Sequence, residues 1–351
     1  MKHVFLVNNH IVYLMTKKII DYKKISKEDI LLLSVRHYVF PDDSGLSEIV
    51  KVSYEFFSFF NFSSICWMLS TLVCRESHCL KPIREADEMI KQFIGKEPFL
   101  LYAYHCNSFN VEILASMPQC QELNYVEEGT LAYMSTLQND MVKQTFLRTF
   151  DLCLKRYLTN GRYGYPFKEK HFDIDYPKFR SIYCCCDESF RGYPNKIVLG
   201  FPFPKMDTVP DDLSAVLVFD GGAVPFEQQL KSNEISVQHF AKHHPGGTFY
   251  YKFHPGQNEE VKEKYRSQFL SLEKEYGISI RELSSKIVLE RLIATLQNRM
   301  DLYVICSSVG LYGLMGGARV FTTAKHFITV SPLLRKHYKT YGQILSRYIE
   351  I

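Results

Sequence analysis

Short apolar runs rich in β-branched and aromatic residues alternate along most of the chain with amphipathic stretches of helical length. In a parallel sheet, helical crossovers cover both faces, so the strands are short and nearly continuous apolar runs. This alternation constrains the fold more than any other feature, and it predicts α/β domains with parallel sheets. Because the chain has 351 residues, we expect two such domains.

Each half of the chain contains its own series of predicted elements. In the first half, the predicted strands are His3–Val7, Pro98–Tyr104 and Leu123–Glu127, and the predicted helices are Ile83–Ile94, Ser108–Met117 and a long one at about Thr130–Leu158. In the second half, the predicted strands are Lys196–Gly200, Ser214–Asp220, Thr248–His254, Ile278–Leu283, Leu302–Ser308 and Ala318–Ala324, with helices at about Glu227–Lys242, Gln257–Tyr276 and Lys286–Asn298. The pattern therefore predicts two separate sheets.

The amino-acid composition changes between the two series of predicted elements. Residues 159–195 are rich in Gly, Pro and aromatic side chains and show neither a strand nor a helix period, which predicts a linker. We therefore expect one Rossmann-like domain at 1–158 and a second at 196–331, facing each other across a central cleft. The final segment, 332–351, is predicted to be a helix that packs back across the domain boundary.

Composition excludes several classes of protein. Hydrophobic residues make up 46% and charged residues 23% of the chain, as in globular domains, and a net charge of +4 without a dense basic run argues against nucleic-acid binding. The ten cysteines include no CxxC pair, so neither a zinc ribbon nor a disulfide framework is indicated. We expect reduced thiols and a cytoplasmic location, with the apolar start of the chain forming a strand rather than a signal peptide.

One uncharged stretch, Phe56–Cys74, is long enough to be tested as a membrane span. Asn61 and several Ser and Thr residues dilute its apolar character, which favours a buried helix or a helix–strand pair. A contact with the surface of a membrane is the alternative for this stretch.

Three short motifs lie where predicted strands end, the edge at which open parallel sheets bind ligands. The first is Glu127-Glu128-Gly129. Acidic residues ahead of a helix complement its dipole, and this structural role competes with a catalytic one. In the catalytic role, a carboxylate on a rigid strand end accepts a proton from a substrate hydroxyl, and the glycine lets the substrate approach closely.

The other two motifs suit a phosphate. Because side chains alternate along a strand, Lys252 and His254 share one face, and Pro255 then ends the strand. A cation and an imidazole are presented side by side in this way. The third motif, Ser307-Ser308, ends a strand and opens a helix. It is either an ordinary helix cap or an anion site built from helix amides and hydroxyls.

In this order, the acidic-acidic-glycine, His-Pro and paired-serine motifs resemble the signature of bacterial sialyltransferases, in particular the lipooligosaccharide sialyltransferases and polysialyltransferases. The opening HVFLVNNHIVYLMTKKII also looks like the first strand and helix of the lipooligosaccharide group. The resemblance implies a GT-B fold of two Rossmann-type domains. It also implies transfer of sialic acid, with inversion, from CMP-sialic acid to an acceptor oligosaccharide or glycolipid of the bacterial surface, without a metal or other cofactor.

The resemblance also implies a role for each motif. Glu127 or Glu128 is the expected general base, and His254 is the general acid or the phosphate partner of the leaving CMP. Some members of the group take their base from an aspartate nearer to the His-Pro motif, so Asp220 competes for that role. The residues expected to bind the donor or its phosphate are Lys252, Pro255, Ser307, Ser308 and Gly129.

Other readings stay open at this point. Asp173-Ile174-Asp175 is a DxD of the kind that holds manganese against a sugar diphosphate, although its place in the predicted linker favours a turn. The donor could also be Kdo or another nonulosonic acid. A non-catalytic glycan- or membrane-associated module, with Phe56–Cys74 as its surface, is the alternative from a different class. A peripheral contact with the inner face of the membrane and a homodimer are left open.

Overall fold

The computed structural model of the protein describes residues 1–41, 49–53, 80–134, 142–219, 224–254 and 256–351. The chain divides into two compact units: unit 1 contains Met1–Ala132 and Thr136–Pro202, and unit 2 contains Tyr133–Ser135 and Phe203–Ile351. Each unit is built on its own parallel sheet with helical crossovers. The expected fold class, an α/β protein with two Rossmann-type units, is confirmed.

The sheet of unit 1 has seven described strands. They are β1 (Lys2–Val7), β2 (Ile30–Ser34), β3 (Val50–Ser53), β4 (Phe99–Ala103), β5 (Cys120–Val126), β6 (Phe179–Cys184) and β7 (Lys196–Val198). Their order is β3-β2-β1-β4-β5-β6-β7, and every neighbouring pair is parallel. The central strands β1 and β4 are mostly apolar, and all side chains from Val4 to Val7 are fully buried, as expected for a sheet covered on both faces.

The described helices of unit 1 are α1 (His10–Lys23), α2 (Lys81–Ile94), α3 (Phe109–Ala115) and α4 (Phe146–Leu158). The prediction of one long helix over 130–158 was wrong. Residues Thr130–Tyr133 form a 3₁₀ turn, and the helix begins only at Phe146. The reason is local, because the Thr145 side chain accepts a hydrogen bond of 3.2 Å from the backbone N–H of Arg148 and so caps a new helix there.

The predicted domain boundary also differs from the structure. The stretch 159–195 is not a linker, because β6 lies within it and pairs with β5 of the first sheet. The strand predicted at Lys196–Gly200 then adds to the same sheet as β7, so unit 1 ends at Pro202 rather than at 158. A short strand flanked by Gly, Pro and aromatic residues gives no clear period, and pairing with β5 decides its conformation.

The sheet of unit 2 has six described strands. They are β8 (Ala215–Val218), β9 (Thr248–Lys252), β10 (Ser279–Glu282), β11 (Asp301–Val304), β12 (Arg319–Thr322) and β13 (Ile349–Glu350). Their order is β10-β9-β8-β11-β12-β13, again all parallel. Counted along its own unit, each sheet begins 3-2-1-4-5-6, the order of dinucleotide-binding folds. The ligand crevice of such a sheet lies where the order reverses, between its first and fourth strands.

The described helices of unit 2 are α5 (Phe226–His243), α6 (Glu259–Tyr276), α7 (Leu289–Leu296), α8 (Ser308–Met315), α9 (Ala324–Phe327) and α10 (Pro332–Leu345). The final segment differs from the single helix predicted for 332–351. Leu334 of α10 packs against Ile305 and Phe327, and the chain then returns to the sheet as β13. This segment therefore completes the core and the sheet of unit 2.

An aromatic cluster holds the carboxyl ends of β8 and β9 in unit 2. The rings of Phe219 and Tyr265 lie 4.7 Å apart, and those of Tyr251 and Phe269 lie 4.4 Å apart. Phe253 is buried in the same cluster. Because side chains alternate along an extended chain, anchoring Phe253 inward leaves its two neighbours outside the core.

Within the described residues, no helix has both the length and the apolar character needed to span a bilayer. The uncharged run Phe56–Cys74 lies outside the described residues.

Close packing of α8 on the sheet requires glycine. A Cβ at Gly313 would clash with Cδ1 of Leu302 on β11 and lie 3.1 Å from Cγ2 of Val320 on β12. A Cβ at Gly310 would lie 2.8 Å from the hydroxyl of Tyr348. The two glycines thus let the helix lie close against β11, β12 and the end of the chain.

We predict that Gly313→Ala lowers the stability of unit 2 by about 1–3 kcal/mol, because the new methyl group overpacks the contact with Leu302. Gly342→Ala in α10 is the matched control, since a Cβ there meets no atom within 4 Å. That change should instead gain about 0.5–1 kcal/mol through helix propensity. Calorimetric Tm values of the two variants measure the contrast, and equal shifts would contradict this packing.

Candidate functional site

Polar residues gather at the carboxyl edge of the unit 1 sheet. Asn8 and Asn9 follow β1, His105 comes two residues after β4, and Glu127 and Glu128 follow β5. Arg36 comes two residues after β2, the other neighbour of β1. These groups therefore surround the point between β1 and β4 where the strand order reverses.

A cavity of about 350 Å³ opens among these residues. Its charged and polar lining includes Arg36, His105, Asn107, Glu128, Lys170 and His171. Lys170 is exposed, so a cation stands at the solvent side of the cavity. The volume is at the lower end of the range for small-molecule sites.

Glu128 presents its carboxylate to this cavity. Its Oε1 accepts hydrogen bonds from Nδ2 of Asn8 at 2.6 Å and from Nη1 of Arg36 at 2.9 Å. The side chain is only 13% exposed, and this burial raises the pKa of Glu128 above its usual value of 4.5, while the charge of Arg36 and the bond from Asn8 limit the rise. A carboxylate held in place with a raised pKa is a suitable general base.

Glu127 has a different environment, although the sequence motif does not distinguish the two glutamates. It is fully buried, and its Oε2 accepts hydrogen bonds from the N–H of Cys185 at 2.7 Å and from the hydroxyl of Ser189 at 2.6 Å. It therefore ties β5 to the segment after β6. Gly129 has φ of +128°, a backbone conformation that side chains with a Cβ rarely adopt.

Arg36 connects the cavity residues and was not found from the sequence. Its guanidinium lies 5.0 Å from the ring centroid of Tyr104, and its Nη2 lies 3.5 Å from Nε2 of His105. Both Arg36 and His37 have positive φ, of 55° and 57°. Such values cost non-glycine residues about 1 kcal/mol or more each, and strain of this kind is concentrated at functional sites.

His105 is a neutral, buried imidazole beside that guanidinium. Burial first, and then the charge of Arg36, lowers the pKa of His105 to about 3. An arginine can only donate, so Nε2 of His105 accepts from Arg36 and the ring proton is on Nδ1. Among the described residues, Nδ1 has no hydrogen-bond partner.

The second candidate edge, in unit 2, carries the His-Pro motif. His254 is exposed, and its Nδ1 accepts a hydrogen bond of 3.1 Å from the N–H of Gly256. The neutral ring therefore carries its proton on Nε2, which is a donor. The Lys252 side chain is less available to a phosphate than the sequence suggested. Its Nζ donates hydrogen bonds to the carbonyls of Ser284 and Ser285, at 3.0 and 3.2 Å.

The paired serines lie at the start of α8. Ser307 is the N-cap, and its hydroxyl accepts from the N–H of Val309 at 3.4 Å, while Ser308 is the first helical residue. Both are partly exposed at a helix N-terminus, where amides and the dipole favour an anion. In the sheet, β8 lies between β9 and β11, so His254 and the serines follow the two strands that flank β8.

Two of the predicted site residues, Asp220 and Pro255, lie outside the described residues. The competing DxD is described, and its first carboxylate shapes a turn. Oδ2 of Asp173 accepts from the N–H of Lys168 at 2.7 Å, and Oδ1 accepts from the N–H of Asp175 at 3.0 Å. Across the described residues, no group of three or more His, Cys, Asp or Glu side chains could hold a metal ion.

The chain has no match among family models, and no curated protein matches its sequence. Among solved structures, it is similar to MurG from Acinetobacter baumannii, with a TM-score of 0.48 and 9% identity, covering 100% of this chain and 85% of that one. It is also similar to UDP-GlcNAc 2-epimerase from Methanocaldococcus jannaschii, with a TM-score of 0.48 and 10% identity, covering 97% and 92%. It is similar as well to MnaA from S. aureus, with a TM-score of 0.45 and 10% identity, covering 99% of this chain and 93% of that one. These distant likenesses concern the fold and assign no substrate.

The contrast between the two glutamates predicts a difference in stability. Glu127→Ala should cost about 2–4 kcal/mol, because it leaves the N–H of Cys185 and the hydroxyl of Ser189 unpaired in the interior. Glu128→Ala should cost less than about 1 kcal/mol, because its ion pair with Arg36 is partly exposed. Thermal unfolding of the two variants tests this, and a larger loss for Glu128→Ala would contradict the assignment.

Proposed function

We propose that the protein is an inverting glycosyltransferase that transfers sialic acid from CMP-sialic acid to a hydroxyl of an acceptor glycan. The observation that carries this proposal is the chemistry at the two crevice edges. In unit 1, the carboxylate of Glu128 faces a polar cavity, and in unit 2, an imidazole donor and a helix N-terminus flank β8. A base and a phosphate site are the two requirements of this transfer.

Unit 2 is the proposed donor side. The N-terminus of α8 with Ser307 and Ser308 would bind the phosphate of CMP, and the Nε2–H of His254 would donate to it. Because the Nδ1 of His254 already accepts from Gly256, Nε2 is the ring nitrogen left to donate a hydrogen bond to the leaving phosphate. CMP carries one phosphate, so these groups can stabilise it without a divalent cation, and we propose a metal-independent reaction.

Unit 1 is the proposed acceptor side, with Glu128 as the base. The acceptor oxygen bonds to the anomeric carbon while the bond from that carbon to the CMP phosphate oxygen breaks, and the hydroxyl proton goes to Glu128. Attack from the face opposite the leaving group inverts the anomeric centre. The cations Arg36 and Lys170 suit the carboxylate of a sugar acid at the same cavity.

The setting of this reaction is part of the proposal. Sialic acid would be added to an oligosaccharide or glycolipid of the bacterial surface, built in the cytoplasm at the inner face of the membrane. Another CMP-activated keto acid such as Kdo would need the same base and phosphate groups, so the donor itself must be tested.

The test is release of CMP from CMP-N-acetylneuraminic acid in the presence of EDTA, with lactose or a sialylated glycan as acceptor. The wild type should release CMP, His254→Ala should lower kcat/KM by about 10²–10³, and Glu128→Gln by about 10²–10⁴. His243→Ala and Glu88→Gln, which change exposed residues of the same types elsewhere, should keep wild-type rates.

The pH profile separates a base from a merely structural glutamate. Because burial raises the pKa of Glu128, kcat/KM should fall as the pH drops through a pKa above 4.5, and Glu128→Gln should lose this acidic limb. If the wild type releases no CMP with either acceptor, or if CMP-Kdo is the better donor, the proposed donor is wrong. Full activity in Glu128→Gln would remove Glu128 from the base role.

A further inference from the structure

Helix α4 exposes the residues that a surface helix normally buries. Phe146 is 85% exposed, Leu147 77%, Phe150 56% and Tyr157 74%. Phe146, Phe150 and Tyr157 are spaced by four and seven residues, so they fall on one side of the helix and form a stripe, with Leu147 at its edge. We call these four residues the α4 stripe.

The other side of α4, which packs on unit 1, is partly polar. Lys155 and Asp151 form an ion pair of 2.6 Å, and both side chains are about one-fifth exposed. The turn at Gly164 lies so close to α4 that a Cβ there would clash with Lys155 and with the backbone of Leu152. The packed side of α4 also contains the buried Leu158, so the α4 stripe is a second apolar face, which the described residues leave exposed. An exposed apolar face of this kind marks the stripe as a binding surface.

The charges around the α4 stripe indicate its partner. Lys143 and Arg156 are exposed, and neither forms an ion pair with another described residue. The one acidic residue of α4, Asp151, is already paired with Lys155. A symmetric contact between two copies of the stripe would therefore bring cations together without an acidic partner on the helix. A membrane surface with anionic lipid complements both groups, because the lipid phosphates attract the cations and the acyl chains accept the apolar residues of the α4 stripe.

We infer that α4 docks unit 1 on a membrane surface rich in anionic lipid. The α4 stripe inserts among the acyl chains at the headgroup boundary, while Lys143 and Arg156 contact lipid phosphates. This inference does not depend on the proposed transferase activity.

Vesicle flotation of the full-length protein tests the inference without any substrate. The protein should float with vesicles of phosphatidylcholine and phosphatidylglycerol and not with phosphatidylcholine alone, and added salt should weaken binding. The triple variant Phe146→Gln, Phe150→Gln and Tyr157→Gln should lose at least about fivefold in binding. Leu270→Gln, which changes an exposed leucine of α6, is the matched control and should float like the wild type.

The charge variant Lys143→Glu with Arg156→Glu should also lose binding to anionic vesicles, whereas Lys274→Glu on α6 should not. Circular dichroism and Tm should be unchanged in the α4 variants, because the altered side chains are exposed. A wild type that does not float, or a stripe variant that floats equally well, overturns the inference. A wild-type dimer that the triple variant converts to a monomer, without vesicle binding in either, would instead assign the stripe to a second copy.

Discussion

Parallel pairing of short, buried apolar strands is the constraint on which the rest of this structure depends. Crossover helices bring every strand of a unit back in the same direction, so all carboxyl ends meet at one edge of each sheet. Where the strand order reverses, successive crossovers leave in opposite directions and a crevice opens. Polar groups such as Asn8, Arg36 and Glu128, which the apolar interior cannot accommodate, gather there in unit 1.

The same edge gives two adjacent carboxylates different tasks. Glu127 turns inward and bonds to the segment after β6, which fixes the end of β5. Glu128 turns to the cavity, where Arg36 and Asn8 hold it in place. Glu127 thus makes the end of β5 rigid. The proposed base, Glu128, needs this rigidity because a base is effective only when the surrounding structure holds its position.

The sequence predicted those features that depend on local pattern. The two parallel sheets follow from apolar periodicity, and most helices follow from amphipathic periodicity and caps. The features that it did not predict depend on distant partners. Strand β6 forms because it pairs with β5. Glu127 is buried with its carboxylate bonded to the N–H of Cys185, which lies 58 residues further along the chain. Arg36 follows β2, a strand that was not predicted, so nothing in the pattern pointed to its role at the cavity.

The proposed function depends above all on the binding of a nucleoside monophosphate to unit 2, through His254 and the N-terminus of α8. Calorimetric titration of the full-length protein with CMP, and separately with UDP, first with EDTA and then with a divalent cation added, measures this binding. We expect CMP to bind without a divalent cation, and His254→Ala and Ser308→Ala each to weaken this binding. A folded protein that does not bind CMP, or that binds UDP only when a divalent cation is added, would contradict it.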